Sequence, residues 1–147
     1  MMKNLFCLLL LFSLTLAFAQ DKAIMDLPLL AGEYAEGIEE DWLVKKVDLE
    51  AGIFRNEAGD RIILSNGLLS RSFYLGPNLA TIGLDLLSAD QNLLRGIKAE
   101  AEISINGKNY EVGGLKGQKN YAYLDESWLP ELETTPEALV YTGFSQR

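Results

Sequence analysis

Regular alternation of apolar and polar residues runs through much of the chain and predicts short antiparallel strands. The alternation is clearest over residues 101–112, where Ser104 separates Ile103 from Ile105 and the pair Asn106-Gly107 follows. An Asn-Gly pair favours the two-residue turn of a β-hairpin, because both residues tolerate a positive φ. The pattern therefore predicts a hairpin over this segment, with every second side chain on the same face.

Four further segments upstream show the strand pattern and are separated by turn-forming residues. In the last of them Ile82, Leu84 and Leu86 alternate with polar or small residues. This period predicts that the three apolar side chains face the core and that Asp85 faces solvent. The four predicted strands cover residues 52–55, 61–65, 70–75 and 81–86.

The C-terminal part of the sequence predicts one or two short helices and the start of another strand. Residues 125–133 can form a helix with Asp125 as its N-cap, and residues 135–139 a second helical turn. Residues 140–144 alternate again, as a strand does. Because long crossover helices are missing, the strands must pair antiparallel. The predicted fold is mainly β, an antiparallel β-sandwich, incomplete as it stands, with one or two short helices near the C-terminus.

Residues 1–19 have the three parts of a secretory signal peptide. Lys3 supplies the positive start, residues 5–16 form the apolar core, and Ala-Phe-Ala at residues 17–19 fits the cleavage rule. The apolar core is too short to span a membrane, because a spanning helix needs about 20 apolar residues. We therefore predict export to the periplasm or the extracellular space.

The remaining sequence divides into a lead-in segment and one domain. Residues 20–41 are acidic and show no clear hydrophobic period, so we expect them to be solvated and only partly ordered. Residues 42–147 suffice for one β-sandwich domain. We expect this domain to be truncated, because the strand that starts in residues 140–144 has little chain beyond it. An open strand edge pairs with other chains, so we also expect self-association.

Composition excludes several classes of chemistry. The 147 residues include no histidine and one cysteine, Cys7, and carry a formal charge of −8. Without histidine the chain has no Ser-His-Asp triad, no Cys-His nucleophile and no histidine-ligated zinc. The acidic balance argues against nucleic acid and anionic membranes as partners. We predict no cofactor, no metal site and no membrane association after signal cleavage.

Carboxylates are the remaining groups with catalytic potential, but the sequence does not bring two of them together. Glycoside hydrolysis needs two carboxylates about 5–10 Å apart. We assign no catalytic residue, and we expect the acids on strands to be solvent-side charges with Arg71 and Arg95 as ion-pair partners. The acids considered are Asp85, Glu100, Glu102, Glu111, Asp125 and Glu126.

An aromatic cluster that follows the hairpin is the candidate binding site. Exposed aromatic rings offer flat surfaces to sugar rings, and neighbouring amide or carboxylate groups can bind the hydroxyls. The alternative is that Trp128 and one tyrosine close the core, where Trp42 and Phe73 are also expected. The candidate carbohydrate contacts are Tyr121, Tyr123, Trp128, Gln118, Asn120 and Asp125.

A motif in residues 62–73 resembles a known family. These residues fit the pattern I-x-L-S-N-G-L-x-x-R-x-F. The motif is similar to the opening of the large β-sandwich that precedes the catalytic barrel in secreted glycoside hydrolases, above all α-galactosidase-like enzymes of family 36 type. Residues 77–81 and 101–114 fit the same picture, so the resemblance covers roughly residues 42–144.

The resemblance implies a non-catalytic N-terminal module. In such enzymes the catalytic carboxylates lie downstream on a (β/α)₈ barrel, and nothing in this chain matches that barrel. We expect a module of a secreted carbohydrate-active enzyme that is not an enzyme on its own, with carbohydrate or a downstream catalytic barrel as its partner. Two alternatives stay open, a free-standing carbohydrate-binding module and an exported interaction domain that adds a strand to a partner.

Signal cleavage gives the first testable prediction. The exported protein is expected to begin at Gln20 and to contain no thiol, because its one cysteine lies in the apolar core of the leader. Intact-mass measurement and thiol titration of the secreted form check this. Retention of Cys7 in the mature protein would contradict it.

Overall fold

The computed structural model of the chain describes residues 22–38, 41–46 and 48–144. The predicted signal peptide, residues 1–19, lies outside the described residues, as do parts of the lead-in segment. Antiparallel strands joined by short connections make up most of the regular structure. The predicted mainly-β, antiparallel fold is confirmed.

Five antiparallel strands form the central sheet, and each pairs with the next one along the chain. This order follows from the short turns between the strands, because a short turn can only connect antiparallel neighbours. The first four strands agree with the predicted bounds to within one residue. The strands are β1 (Gly52–Arg55), β2 (Arg61–Ser65), β3 (Leu69–Tyr74), β4 (Ala80–Leu86) and β5 (Gln91–Asn92).

Short elements complete the described part of the fold. The predicted hairpin and the predicted helix after Asp125 are both present, and the latter is a 3₁₀ helix capped by the Asp125 side chain. Two further strands pair with each other near the core. The elements are the hairpin strands β6 (Ala101–Ile105) and β7 (Lys108–Val112), the pair β8 (Leu115–Lys116) and β9 (Glu133–Thr134), the α-helices Lys22–Met25 and Glu33–Glu36, and the 3₁₀ helices Leu87–Ala89 and Glu126–Glu131.

A β-bulge in β4 decides which side chains lie on each face of the central sheet. Ser72 of β3 is opposite Gly83, but the next residue, Phe73, is opposite Thr81. Ile82 therefore has no partner on β3. An extra residue in one strand reverses the facing of all residues beyond it, because side chains alternate with a period of two.

The bulge overturns the predicted facing of β4. Ile82 is 5% exposed and packs in the core beside Ala80. Leu84 lies on the opposite face, next to its β3 partner Arg71. Asp85, predicted to face solvent, shares the face of Ile82, because its β3 partner Ser70 lies on that face. The predicted grouping of Ile82 with Leu84 is therefore wrong.

The hydrophobic core lies between β4 and the C-terminal half of the chain. Ala80 and Ile82 contribute from the sheet, and the β8–β9 pair and the second 3₁₀ helix contribute from the other side. Loops and these short elements thus make the layer that covers this part of the sheet. The core members are Ala80, Ile82, Ile97, Leu115, Leu129 and Leu132, with Tyr74 and Leu124 packed against them.

Gly114 fixes the chain between the hairpin and β8. Its φ is +82°, and its N–H donates to the Leu79 carbonyl at 2.7 Å. A Cβ atom at this position would lie 2.7 Å from Cα of Ala99. Only glycine allows both the positive φ and this close approach of two backbones. The hairpin is thereby anchored to the core at its base.

The prediction that Trp42 lies in the core is wrong. Trp42 is 51% exposed, and residues 42–44 form a turn. The Asp41 carboxylate accepts a hydrogen bond from the N–H of Leu43 at 2.9 Å. A side chain that binds the backbone two residues on favours a turn over a strand. Phe73, the other predicted core aromatic, is half-buried on the sheet.

The C-terminal segment also differs from the prediction. Residues 135–139 form a turn without a helix, and residues 140–144 form no strand. The side chain of Asn78, 1% exposed, accepts a hydrogen bond from the N–H of Tyr141 at 2.9 Å. This contact satisfies the backbone of the segment with a side chain instead of a neighbouring strand.

The described part of the lead-in packs against the edge of the sheet. Ile24 and Leu27 are 6% and 3% exposed. Arg55, the last residue of β1, donates its N–H to the Pro28 carbonyl and accepts from the N–H of Leu30. The lead-in therefore covers the outer edge of β1, which would otherwise present unpaired backbone groups.

The hairpin turn gives the second testable prediction. Asn106 and Gly107 have φ values of +53° and +79°, so both are in the left-handed region. Gly107→Val should destabilise the protein by about 1–3 kcal/mol, because a β-branched residue is strained there. Denaturant unfolding measures the effect, and Asn106→Gly is the control because glycine tolerates its φ. Equal unfolding midpoints for Gly107→Val and wild type would contradict a tight turn.

Candidate functional site

One face of the central sheet carries small and polar side chains where a core would normally have large apolar ones. The register aligns Phe54, Ile63, Ser72 and Gly83 in one row across β1 to β4. Side-chain size falls along this row, which opens a depression over β3 and β4. The neighbouring row carries Ser65, Ser70 and Asp85. We call this side of the sheet the inner face.

The depression is a cleft of about 710 Å³, which we call the inner cleft. Its size lies within the range of about 300–1,000 Å³ that is usual for small-molecule sites. The inner-face residues form its floor. Its walls come from the lead-in segment, from the first 3₁₀ helix with β5, and from the start of the second 3₁₀ helix. The wall residues include Leu30, Glu36, Leu87, Asp90, Gln91, Asn92 and Glu126.

Two buried serines of the inner face differ in their hydrogen bonding. The Ser65 hydroxyl donates to the Tyr34 carbonyl at 2.7 Å and accepts from the N–H of Gly67 at 3.2 Å. Ser70 is 4% exposed and lines the cleft. Within the described part of the chain its hydroxyl has no hydrogen-bond partner. Buried hydroxyls are normally bonded, so Ser70 directs an unused donor and acceptor into the cleft.

An ion pair forms one wall of the cleft. The two terminal nitrogens of Arg61 donate to the two carboxylate oxygens of Glu126, each at 2.9 Å. Bidentate pairing of this kind fixes the plane of both groups. The hydrogen bond from Arg61 lowers the pKa of Glu126, and the same bond raises the pKa of Arg61. Glu126 is thereby held ionised and in place.

Asp85 has the opposite electrostatic environment. Burial raises the pKa of Asp85 above its ordinary value of 3.8, and the negative charges of Glu126 and Asp90 raise it further. A Cβ atom on Gly83 would lie 3.1 Å from Oδ2 of Asp85 and 3.4 Å from Cβ of Ser72. The carboxylate therefore lies over the cleft floor in space that the glycine leaves open. Asp85 is among the acids considered from the sequence, but the pattern places it on the solvent side because the bulge is not visible there.

The predicted aromatic site forms a loop, and Gln118 lies at its centre. Gln118 is 8% exposed. Its Oε1 accepts from the N–H of Ile97, and its Nε2 donates to the carbonyls of Arg95, Asn120 and Tyr123. With its amide fully used by the backbone, Gln118 organises the loop and has little capacity left for a ligand.

The other predicted polar contacts also bind their own backbone. Oδ1 of Asn120 accepts from the N–H of Ala122 at 2.8 Å, and Oδ1 of Asp125 accepts from the N–H of Ser127 at 2.9 Å. Hydrogen bonds from the side chain and then from the N–H of Ser127 lower the pKa of Asp125, and the N–H bond caps the second 3₁₀ helix.

The aromatic rings of the loop are accessible. Tyr121 and Tyr123 are 52% and 51% exposed, and Trp128 is half-buried. The rings of Tyr123 and Trp128 lie 5.4 Å apart at an angle of 41°. The ammonium group of Lys98 lies over the ring of Tyr121 at 4.8 Å. The structure thus places the ring of Tyr123 beside that of Trp128, which belongs to the second 3₁₀ helix, and the ring of Tyr121 beside Lys98. Carbohydrate contact at these rings stays a prediction.

The opposite side of the sheet, which we call the outer face, exposes apolar side chains in register. Ile53 of β1 is directly opposite Leu64 of β2, and the same row continues through Arg71 to Leu84. Ile53, Leu64 and Leu69 are 44%, 40% and 45% exposed. Single exposed apolar residues are common, but a paired row of them on a sheet face marks a contact surface.

A polar network lies within the outer face. Nη2 of Arg71 donates to Glu100 at 2.5 Å, and Oγ1 of Thr81 donates to the same carboxylate at 2.9 Å. The guanidinium also lies over the ring of Phe73 at 4.6 Å. The predicted pairing of Arg71 with an acid is confirmed. Two shallow depressions, of about 330 and 220 Å³, flank the shared residues Arg71 and Leu84.

Comparison of the chain with protein-family models, curated proteins and solved structures finds no match. In the residues that the structure describes, no helix has the length and apolar character to cross a membrane. The same residues contain no group of three or more Asp, Glu, Cys or His side chains placed to hold a metal ion. The two sheet faces and the aromatic loop are therefore the surfaces that bear on function.

Asp85 gives the third testable prediction. Its raised pKa means that the folded state binds the proton more tightly than the unfolded state does. The stability of the wild type should therefore fall as pH rises from about the ordinary value of 3.8 through the raised pKa. Asp85→Asn should be more stable than wild type at neutral pH, and this advantage should vanish in acid.

Denaturant unfolding at a series of pH values measures this effect. Glu57→Gln is the control, because it removes one negative charge at an exposed turn position. An Asp85→Asn protein that is less stable than wild type at neutral pH would mean that the carboxylate makes favourable contacts that outweigh its burial.

Proposed function

We propose that the chain is a non-catalytic sandwich module of a secreted carbohydrate-active enzyme of the α-galactosidase-like kind. The proposal combines the resemblance of residues 62–73 with one structural observation, the exposed apolar row on the outer face. In this proposal the outer face is the surface on which the catalytic domain packs. Export by the predicted signal peptide belongs to the same proposal.

The shape of the outer face supports a protein partner. Ile53, Leu64 and Leu84 form a flat apolar surface with Arg71 at its centre. Interfaces typically combine a desolvated apolar centre with arginine as an anchor. Since Glu100 and Thr81 hold the guanidinium of Arg71, its charge is compensated when a partner excludes water.

The carboxylates of the inner cleft support a non-catalytic role for this chain. Glu126 is engaged by both terminal nitrogens of Arg61, so neither of its oxygens is free of the guanidinium. A glycosidase nucleophile or base needs a carboxylate that can reach the sugar or a water. Asp85 alone cannot supply both the acid and the second carboxylate that the reaction requires.

Recovery of a glycosidase on the immobilised chain tests the proposal. Wild-type protein on beads is incubated with culture fluid of the producing cells, and retained activity on an aryl α-galactoside is measured. The double variant Leu64→Asp, Leu69→Asp should retain at least roughly tenfold less activity, because it places charges in the apolar contact. Val44→Asp is the matched control, since Val44 is 85% exposed in a turn outside the central sheet.

Two results would contradict the proposal. The first is hydrolysis of the aryl galactoside by the purified chain that disappears when one of its carboxylates is replaced. The second is equal retention of α-galactosidase activity by the wild type, the double variant and empty beads.

A further inference from the structure

The floor of the inner cleft is unusual for the buried side of a sheet. A sheet face that packs in a core carries large apolar residues, because their burial supplies the stability. Here the positions over β3 and β4 are Ser70, Ser72, Gly83 and Asp85. All four are small or polar, and none fills the space above the sheet. The cleft is therefore a polar, open site in the otherwise apolar inner face.

Ser70 shows that the polar side chains of the cleft floor do not all have hydrogen-bond partners within the protein. The residue is 4% exposed and lines the cleft, and its hydroxyl has no hydrogen-bond partner within the described residues; it differs from the fully enclosed unpaired atoms, Nε of Arg61 and the hydroxyl of Tyr141, in being open to the cleft. The buried Ser65 on the adjacent strand has two. A buried hydroxyl without a protein partner is expected to bind water or a ligand. Ser70 and the Asp85 carboxylate belong to directly opposed residues of β3 and β4.

The charges around the cleft select against anions. Asp85, Asp90, Glu36 and Glu126 all line it. The two terminal nitrogens of Arg61, whose guanidinium lies in the wall, are already paired with Glu126, and only its Nε is buried without a hydrogen-bond partner. A phosphate or carboxylate ligand would meet these carboxylates at short range and be repelled. A metal ion is not favoured either, since the described residues hold no group of three or more Asp, Glu, Cys or His side chains placed to bind one.

A neutral molecule with many hydroxyl groups meets the remaining requirements. Carboxylates and amide oxygens accept hydrogen bonds from hydroxyls, and Gln91 and Asn92 add amides to the acids of the wall. The apolar side chains of Leu30, Ile82 and Leu87 also line the cleft and can contact the C–H groups of a sugar ring. A concave site with apolar walls and a few convergent polar groups is the usual form of a small-molecule site.

We propose that the inner cleft binds a neutral saccharide, with Ser70, Ser72 and Asp85 as its polar contacts. The site is separate from the aromatic loop and from the outer face. The inference takes only the ligand class, carbohydrate, from the proposed function. It assigns this chain a sugar-binding role of its own beside docking to a catalytic domain.

Titration with raffinose, followed by two-dimensional NMR of the isotope-labelled chain, tests the inference. The amide signals of residues 70–72 and 83–85 should shift in a saturable manner. Ser70→Ala and Asp85→Ala should each weaken binding by roughly tenfold, the loss expected for one hydrogen bond in a buried site. Ser104→Ala is the matched control, because Ser104 is an exposed serine on the hairpin strand β6 and does not line the cleft.

The variants must remain folded for the comparison, and their amide spectra and unfolding midpoints report this. If Ser70→Ala unfolds, Ser72→Ala on the same strand tests the second proposed serine contact of the same site, with the same loss of binding expected. The absence of saturable shifts in the cleft with raffinose and with melibiose would overturn the inference. Binding that is lost in Tyr123→Ala but unchanged in Ser70→Ala would also overturn it, because the ligand would then occupy the aromatic loop.

The two proposals can fail independently. Loss of sugar binding in Ser70→Ala leaves the outer face intact, so retention of α-galactosidase activity should not change. The Leu64→Asp, Leu69→Asp variant should still show the raffinose shifts, because both substitutions lie on the opposite side of the sheet.

Discussion

The bulge at Ile82 is the constraint on which the rest of the structure depends. Ile82 faces the core beside Ala80, and because it has no partner on β3 the residues after it change face, which turns Asp85 toward the inner face. Without the extra residue, Leu84 would face inward and Asp85 outward, since side chains alternate along a strand. The sheet would then have an ordinary apolar inner face. Bulges occur often next to functional sites, where they redirect a side chain.

The same bulge accounts for the difference between the two faces. On the outer face it leaves Leu84 in register with Arg71 and Leu64, so the apolar row stays exposed. On the inner face it aligns Asp85 with Ser70, so a carboxylate lies in a partly dehydrated cleft and its pKa rises. A binding cleft and a docking surface can thus lie back to back on one sheet.

Local signals in the sequence predict the strands well, because alternation and turn residues act over a few positions. The Asn106-Gly107 turn and the first four strands of the central sheet have their predicted places. The facing of Asp85 could not be predicted, because the bulge depends on how β3 and β4 pair. The central role of Gln118 was missed for a similar reason, since its bonds reach Ile97 and Arg95 across the fold.

The pairing of β3 with β4 can be measured directly by interstrand NOEs on the purified chain. The account predicts contacts that place Ser72 opposite Gly83 and Phe73 opposite Thr81, with no β3 residue opposite Ile82. A continuous ladder in which Phe73 lies opposite Thr81, Ser72 opposite Ile82 and Ser70 opposite Leu84 would contradict it. In that case Asp85 would face solvent, and the inner cleft would lose the carboxylate on its floor.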